Sequence, residues 1–304
     1  MKNLKKPLAI AGSIFALLSI GLAFRNKRVL EKAKSSFPPL GKFCNIQGCS
    51  LHYYTEGKGP AVVLLHGEGG DMYDFYLSTL WNKLKENYQV FALDRPGSGY
   101  SSRAEWKDYG FKNQGEIIHQ AIQLLGLENP LLVGYGESSG IVLSMLMEHE
   151  EEYKGAVLLD ERLPSPPELN DKLASVPILG NIFLWTLSPV IAERKVLSAT
   201  NELPHNYKEK LRLTSKPMNL LSNAENKKFM QVEELEKLSS YHSNISKPVS
   251  VLHKESEANK NLISSLKLEE IIPELKIISV SDVSEPISFI GSEQVYEEVS
   301  WLLK

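Results

Sequence analysis

The pattern of apolar and polar positions divides the chain into three kinds of segment. The first is Pro7 to Phe24, PLAIAGSIFALLSIGLAF, which carries no charge and is apolar all round a helix. The second is a series of short continuous apolar runs: Ala61-Val62-Val63-Leu64-Leu65, Val90-Phe91-Ala92-Leu93, Leu131-Leu132-Val133 and Ala156-Val157-Leu158-Leu159. Runs of this length and continuity predict strands buried on both faces. Leu51-His52-Tyr53-Tyr54 alternates instead, as a half-buried strand does. Helical spacing separates the runs, at Leu80 to Leu84, at Gln114 to Leu125 and from Ile141 to Met147. Strands alternating with helices predict a parallel sheet covered on both faces, an α/β fold.

The third kind runs from about Glu161 to His242, where prolines are frequent and the helical stretches short. It reads as an inserted helical cap, about 161–242. Its apolar residues Ile178-Leu179, Ile182-Phe183-Leu184-Trp185 and Leu187 fit packing onto the main domain, a pocket wall, or a bilayer face. The parallel-strand pattern resumes at Pro248 to Leu252 and Leu275 to Val280, and Gly291 to Leu303 closes the chain as a helix.

Charge changes the picture at the N-terminus. Lys2, Lys5 and Lys6 precede the apolar run, and Arg25, Lys27 and Arg28 follow it. A run of this length suits a bilayer core, which needs roughly 17–25 apolar residues. Residues 1–28 are therefore expected to be a membrane anchor and 29–39 a charged stalk. A cleaved signal peptide and a buried helix are the competing readings, though no A-x-A site ends the run. Basic residues on both flanks leave the orientation open.

Composition adds mainly exclusions. The chain has 304 residues, a net charge of -3, 42% hydrophobic and 23% charged residues, ordinary for a globular protein. The slight acidity argues against nucleic acid as a partner. Cys44 and Cys49 flank the turn Asn45-Ile46-Gln47-Gly48 without a CxxC pair. A zinc site is not expected; a cross-strand disulfide or two small buried thiols both fit. No P-loop, H-E-x-x-H or EF-hand pattern is present, so no cofactor or metal is expected.

Five blocks in order, LHYYTEGKGPAVVLLHGEGG, VFALDRPGSGYSS, PLLVGYGESSG, EEYKGAVLLD and KPVSVLHKESE, resemble bacterial α/β-hydrolases of the lipase, esterase and proline-iminopeptidase-like group. The resemblance spans about Pro38 to Leu303 and implies an α/β-hydrolase domain over 40–304 with the cap inserted. It also implies where a catalytic triad would stand: a nucleophile on the strand-to-helix turn G-x-S-x-G, an acid, and a histidine base. Backbone N–H groups from the turn and from the loop after the first long strand would hold the oxyanion. That loop is His66-Gly67-Glu68-Gly69-Gly70, with Gly67 and Glu68 as pocket residues beside Glu137.

In register, the turn Gly134-Tyr135-Gly136-Glu137-Ser138 puts Gly136 at the nucleophile position, and glycine has no side chain to attack with. Glu257 falls at the acid, where a glutamate can still orient a base. Glu285 falls at the histidine position, and no histidine follows His253. A literal G-x-S-x-G does occur two residues later, Gly136-Glu137-Ser138-Ser139-Gly140, and would make Ser138 the nucleophile. Two functions follow as expectations: a membrane-anchored, non-catalytic binding or scaffold protein, or an active serine hydrolase using Ser138. Carboxylate chemistry by Glu137, Glu257 and Glu285 is a third, requiring that they converge. The apolar cap and the tether point to a small acyl or lipid-like ligand.

Overall fold

The computed structural model describes residues 5–103, 109–162, 166–199, 205–241, 245–254, 267–280, 290 and 292–304, without the side chains of 5–9, 11, 195–199, 205, 232, 238–241 and 254. The chain forms two compact units, one of residues 1–38 and 167–224, the other of 39–166 and 225–304.

The larger unit is built on one sheet of eight strands. These are β1 (Lys42–Ile46), β2 (Cys49–Glu56), β3 (Ala61–Leu65), β4 (Gln89–Leu93), β5 (Leu131–Tyr135), β6 (Gly155–Leu159), β7 (Val249–Lys254) and β8 (Leu275–Val280), in the order β1-β2-β4-β3-β5-β6-β7-β8. The β1–β2 and β2–β4 pairs are antiparallel and the rest parallel. The continuous apolar runs form the centre: every residue of β3 and β6 is buried. Helices α2 (Tyr73–Tyr76), α3 (Thr79–Leu84), α4 (Phe111–Leu124) and α5 (Ser138–His149) return the chain between strands. The core joins Val63, Leu65, Leu132 and Leu158 of the sheet to Ile118, Ala121, Ile141 and Met145 of α4 and α5. Cys44 and Cys49 are free, buried thiols. They are not cross-strand partners, since Cys44 pairs with Leu51 and Cys49 with Ile46.

The smaller unit is helical. Helix α1 spans Lys5–Ser36 without a break. The segment read as a stalk is its last turns, with Leu30, Ala33 and Phe37 buried at helical spacing. With it go α6 (Leu169–Ala174), α7 (Leu179–Trp185), α8 (Leu187–Ala199) and α9 (His205–Leu211), followed by a 3₁₀ turn, Arg212–Ser215. Ala174, Leu184 and Ala224 form a small core. The insertion expected at about 161–242 is thus divided: 167–224 belong to this unit and 225–242 to the sheet-bearing unit. No helix among the described residues is long and apolar enough to cross a membrane. The side chains of residues 5–9 and 11, at the start of the apolar run, lie outside that description.

Candidate functional site

Four neighbouring parallel strands end on the same edge, in the spatial order β4, β3, β5, β6. Their register pairs Leu93 with Leu65, Leu65 with Gly134, and Tyr135 with Leu159. The residues just after them are therefore brought together: Asp94-Arg95, His66-Gly67-Glu68, Gly136-Glu137 and Asp160-Glu161. The carboxyl ends of parallel strands are where open α/β sheets bind ligands, because the chain leaves the sheet there and opens a crevice.

Gly136 stands on the turn between β5 and α5 with φ of 59°, the left-handed region that only glycine enters without strain. Its N–H donates to the Leu159 carbonyl at 2.8 Å, and its own carbonyl accepts from the Arg162 N–H at 3.3 Å. A Cβ built on Gly136 would meet nothing nearer than the Gly67 Cα at 3.7 Å. The site thus has room for a side chain that this sequence does not supply.

Ser138 opens α5 and is fully buried, and its hydroxyl donates to the His66 carbonyl at 2.5 Å. It ties the helix to the loop after β3. The described histidines whose side chains are placed are bound elsewhere. His52 lies between Asp94 (2.7 Å) and the Leu40 carbonyl (2.5 Å). His119 meets the Tyr153 hydroxyl, His149 meets Glu116, and His253 meets the Ser279 hydroxyl. His66 accepts the Arg95 N–H on Nε2 at 3.0 Å and so donates from Nδ1 to the Gly67 carbonyl at 2.9 Å. Burial, reinforced by the Arg95 charge, lowers its pKa to about 4. It is a neutral, locked imidazole that holds the Gly67 loop against the Arg95 loop. Glu257 and Glu285 lie outside the described residues, as does His242.

The charges at this edge were not evident as a group from the sequence. Arg95 and Glu137 form a buried ion pair, and Arg95 also reaches the Gly67 carbonyl at 3.4 Å. Arg95 Nε and Nη1 and Glu137 Oε2 are buried without a partner among the described residues. Glu68 points to Lys227, 3.1 Å away. Burial, then repulsion from Glu137, raises the Glu68 pKa, partly offset by Lys227. Glu161 is 1% exposed, and neither of its oxygens has a partner among the described residues. Burial pushes its pKa up to about 8, so it is mostly a neutral acid at pH 7.

Asp94 organises the other side. It accepts from Met72 N–H at 2.7 Å, from Tyr100 N–H at 2.8 Å and from His52. Burial alone would raise its pKa; these bonds and the neighbouring histidines outweigh that and lower it. Gly99 has φ of 53°, and a Cβ there would lie 2.2 Å from the Asp94 carboxyl. That explains why the turn after β4 is written with glycine. Among the described residues no cluster of three or more His, Cys, Asp or Glu could hold a metal.

Of the residues read from sequence, Gly67, Glu68, Gly136, Glu137 and Ser138 meet at this edge. Sequence reading missed Arg95, Glu161 and Lys227 as site residues. Arg95 carried a signal, since it lies inside the DRPGSGYSS block; Glu161 carried only its place after a buried strand.

Comparison with known proteins fits this geometry. The family model for the alpha/beta hydrolase fold matches residues 60–257, more than half of the chain. A protein of Mycobacterium tuberculosis is 28% identical over 121 residues, 38% of this chain and 33% of that one. The cis-3-alkyl-4-alkyloxetan-2-one decarboxylase of Shewanella oneidensis is 28% identical over 148 residues, 48% of this chain and 46% of that one. The chain therefore spans less than half the length of these curated relatives. The solved structure of the epoxide hydrolase CorEH superposes with a TM-score of 0.70 at 15% identity, over 86% of this chain and 97% of that one, a likeness of fold. With its strand order, its elbow turn and this match, the chain belongs to the α/β-hydrolase fold family.

Proposed function

We propose that this protein is a membrane-associated, non-catalytic member of the family that binds a small acyl or lipid-like molecule. The observation that carries the reading is Gly136, which stands at the strand-to-helix turn with no side chain to attack a substrate. Ser138, the alternative nucleophile, supports the same reading. Its hydroxyl is buried and donates to a backbone carbonyl, and no described histidine bonds to it to take its proton. A nucleophilic serine needs a base within hydrogen-bond reach.

Binding in place of catalysis also suits the charges. The Arg95–Glu137 pair neutralises itself, and Glu161 is largely protonated, so these three side chains offer hydrogen-bonding groups with little net charge. The membrane contact in this reading is the uncharged run Pro7 to Phe24, whose described large side chains from Ile10 to Phe24 are mostly exposed. Contiguous exposed apolar surface marks a contact with lipid or with another protein.

The test is labelling of the purified full chain with a serine-reactive fluorophosphonate, together with turnover of a short p-nitrophenyl ester. We expect no label and no ester cleavage above a Ser138→Ala control. Stoichiometric labelling at Ser138, or ester cleavage abolished by Ser138→Ala, would establish the active serine hydrolase instead.

A further inference from the structure

A cavity of about 200 Å³ lies within the helical unit. Its walls come from α1 just past the apolar run, from the α7–α8 junction, and from α9 with the 3₁₀ turn after it. Val29, Leu30, Trp185 and Leu211 give it apolar walls. Four cations line it, Arg25, Lys27, Lys208 and Arg212, against two carboxylates, Glu193 and Glu209. The carboxylates are already engaged. Glu193 is 2.9 Å from Arg25 and 3.9 Å from Arg212, and Glu209 is 4.0 Å from Lys32. Among the described residues Lys27 and Lys208 have no ionic partner. The cavity therefore combines apolar walls with uncompensated positive charge, which fits an anionic amphiphile.

We propose that this cavity binds the phosphate headgroup and upper acyl chain of an anionic phospholipid. The inference rests on the membrane reading given above. Three observations favour a lipid over a free anion. First, Arg25 directly follows the apolar run, in which Phe15, Leu17, Leu18, Ile20 and Phe24 are all more than half exposed. Second, the Arg28 guanidinium lies 4.4 Å over the Phe24 ring, a cation and an aromatic at the end of the run. Basic and aromatic residues in that position anchor segments at the headgroup level. Third, Ile178, Leu179, Ile182 and Leu187 of the same unit are exposed, between 41% and 77%. These residues add a second exposed apolar stretch among the described residues. Trp185 belongs to both features, half exposed on α7 and lining the cavity. Asn26 holds it there by donating to the Trp185 and Thr186 carbonyls at 3.1 and 2.7 Å.

Trp185 provides the readout. The full chain is reconstituted into phosphatidylcholine vesicles containing a minor fraction of brominated phosphatidylglycerol or brominated phosphatidylcholine. Quenching is measured as the difference between wild type and Trp185→Phe. The chain should float with both vesicles, and Trp185 should be quenched more by the anionic lipid. Neutralising Lys27 and Lys208 together as Lys27→Gln/Lys208→Gln should reduce the apparent lipid affinity about 25-fold, at about fivefold for each near-surface lysine. Both lysines lie at the surface or half-buried, and unchanged circular dichroism confirms that the variant is folded. Flotation with equal quenching by the two lipids overturns this inference and leaves the membrane reading standing. Failure to float overturns both. Loss of the preference on adding inorganic phosphate assigns the site to a free anion and overturns the lipid.

Discussion

Glu161→Gln tests whether the site is as closed and as weakly charged as its geometry implies. Glu161 follows β6, is 1% exposed and has no partner for either oxygen among the described residues. Burial raises its pKa from 4.5 to about 8, with Asp160 adding to the rise and the nearness of its own backbone N–H and of Arg162 opposing it. The sign follows from proton binding. Between these two values the folded state holds a proton that the unfolded chain has released, so rising pH destabilises the fold. The stability associated with the neutral carboxyl is complete below pH 4.5 and is lost progressively as the pH rises through about 8. At 1.36 kcal/mol for each pH unit, the loss is about 3 kcal/mol by pH 7 and at most about 5 kcal/mol above pH 8. Glutamine has nearly the same shape and no titration. The assay is urea unfolding of the full chain in a non-ionic detergent, followed by tryptophan fluorescence from pH 5 to pH 9. The variant should gain several kcal/mol over wild type at pH 9 relative to their difference at pH 5. Parallel stability curves across that range would refute the closed, desolvated carboxyl.

Gly136→Ser restores a hydroxyl at the elbow; the nearest atom leaves room for its Cβ, so only the left-handed backbone opposes it, by about 1–2 kcal/mol. The variant should fold with that loss in urea unfolding and remain inert to a fluorophosphonate, whereas rapid labelling would show that a base is present after all. Removing one member of the buried Arg95–Glu137 pair, as Arg95→Met, should destabilise by about 3–5 kcal/mol, because the other charge stays buried. The double variant Arg95→Met/Glu137→Leu should recover most of that loss, and additive losses would place the two residues out of contact. His66, whose folded pKa of about 4 lies below its unfolded value, should remain neutral with its proton on Nδ1 at pH 5.5 by nitrogen NMR. Its contribution is present above pH 6.5 and lost as the pH falls through about 4, and an imidazolium signal at pH 5.5 would contradict its locked tautomer.

The strands were most legible where both faces are buried. Ala61 to Leu65 are the observed limits of β3, every residue of which is buried. The alternating Leu51 to Tyr54 gave only the middle of β2, which runs from Cys49 to Glu56. Its ends are fixed by partners, Ile46 opposite Cys49 and Val90 opposite Glu56, that no local pattern reveals. The N-terminal helix shows the opposite error. Its apolar part was read correctly as helical, but the charged residues after it looked like a stalk. Glutamate and lysine sustain a helix well, and Leu30 and Ala33 give it a buried stripe, so α1 continues to Ser36. The inserted region was legible in kind but not in extent. A change in proline frequency marks a change of architecture, whereas the return to the larger unit at Glu225 occurs within the helix Pro217–Phe229 and has no compositional mark.

The site was legible to the extent that it depends on the local chain. A turn that needs φ of 59° selects glycine, and the neighbouring motifs give its register, so the place of Gly136 is legible in the sequence. Arg95 and Glu137 are 42 positions apart and meet only because β4, β3 and β5 are neighbours. In sequence each is an ordinary charged residue in a loop. The same holds for Glu161, which looks like a surface carboxylate and becomes a neutral acid only through burial. This contrast bears on function. The retained parts, namely the elbow turn, the Asp94 hub and the His66 lock, maintain the shape of the strand edge. The attacking side chain is the part that Gly136 lacks. A chain that had only lost activity would have no need for a buried ion pair at the same edge, because such a pair often stabilises no better than apolar residues of similar volume. In the binding reading proposed above, Arg95 Nη1 and Glu137 Oε2, without partners among the described residues, are the groups that a bound molecule would accept from and donate to.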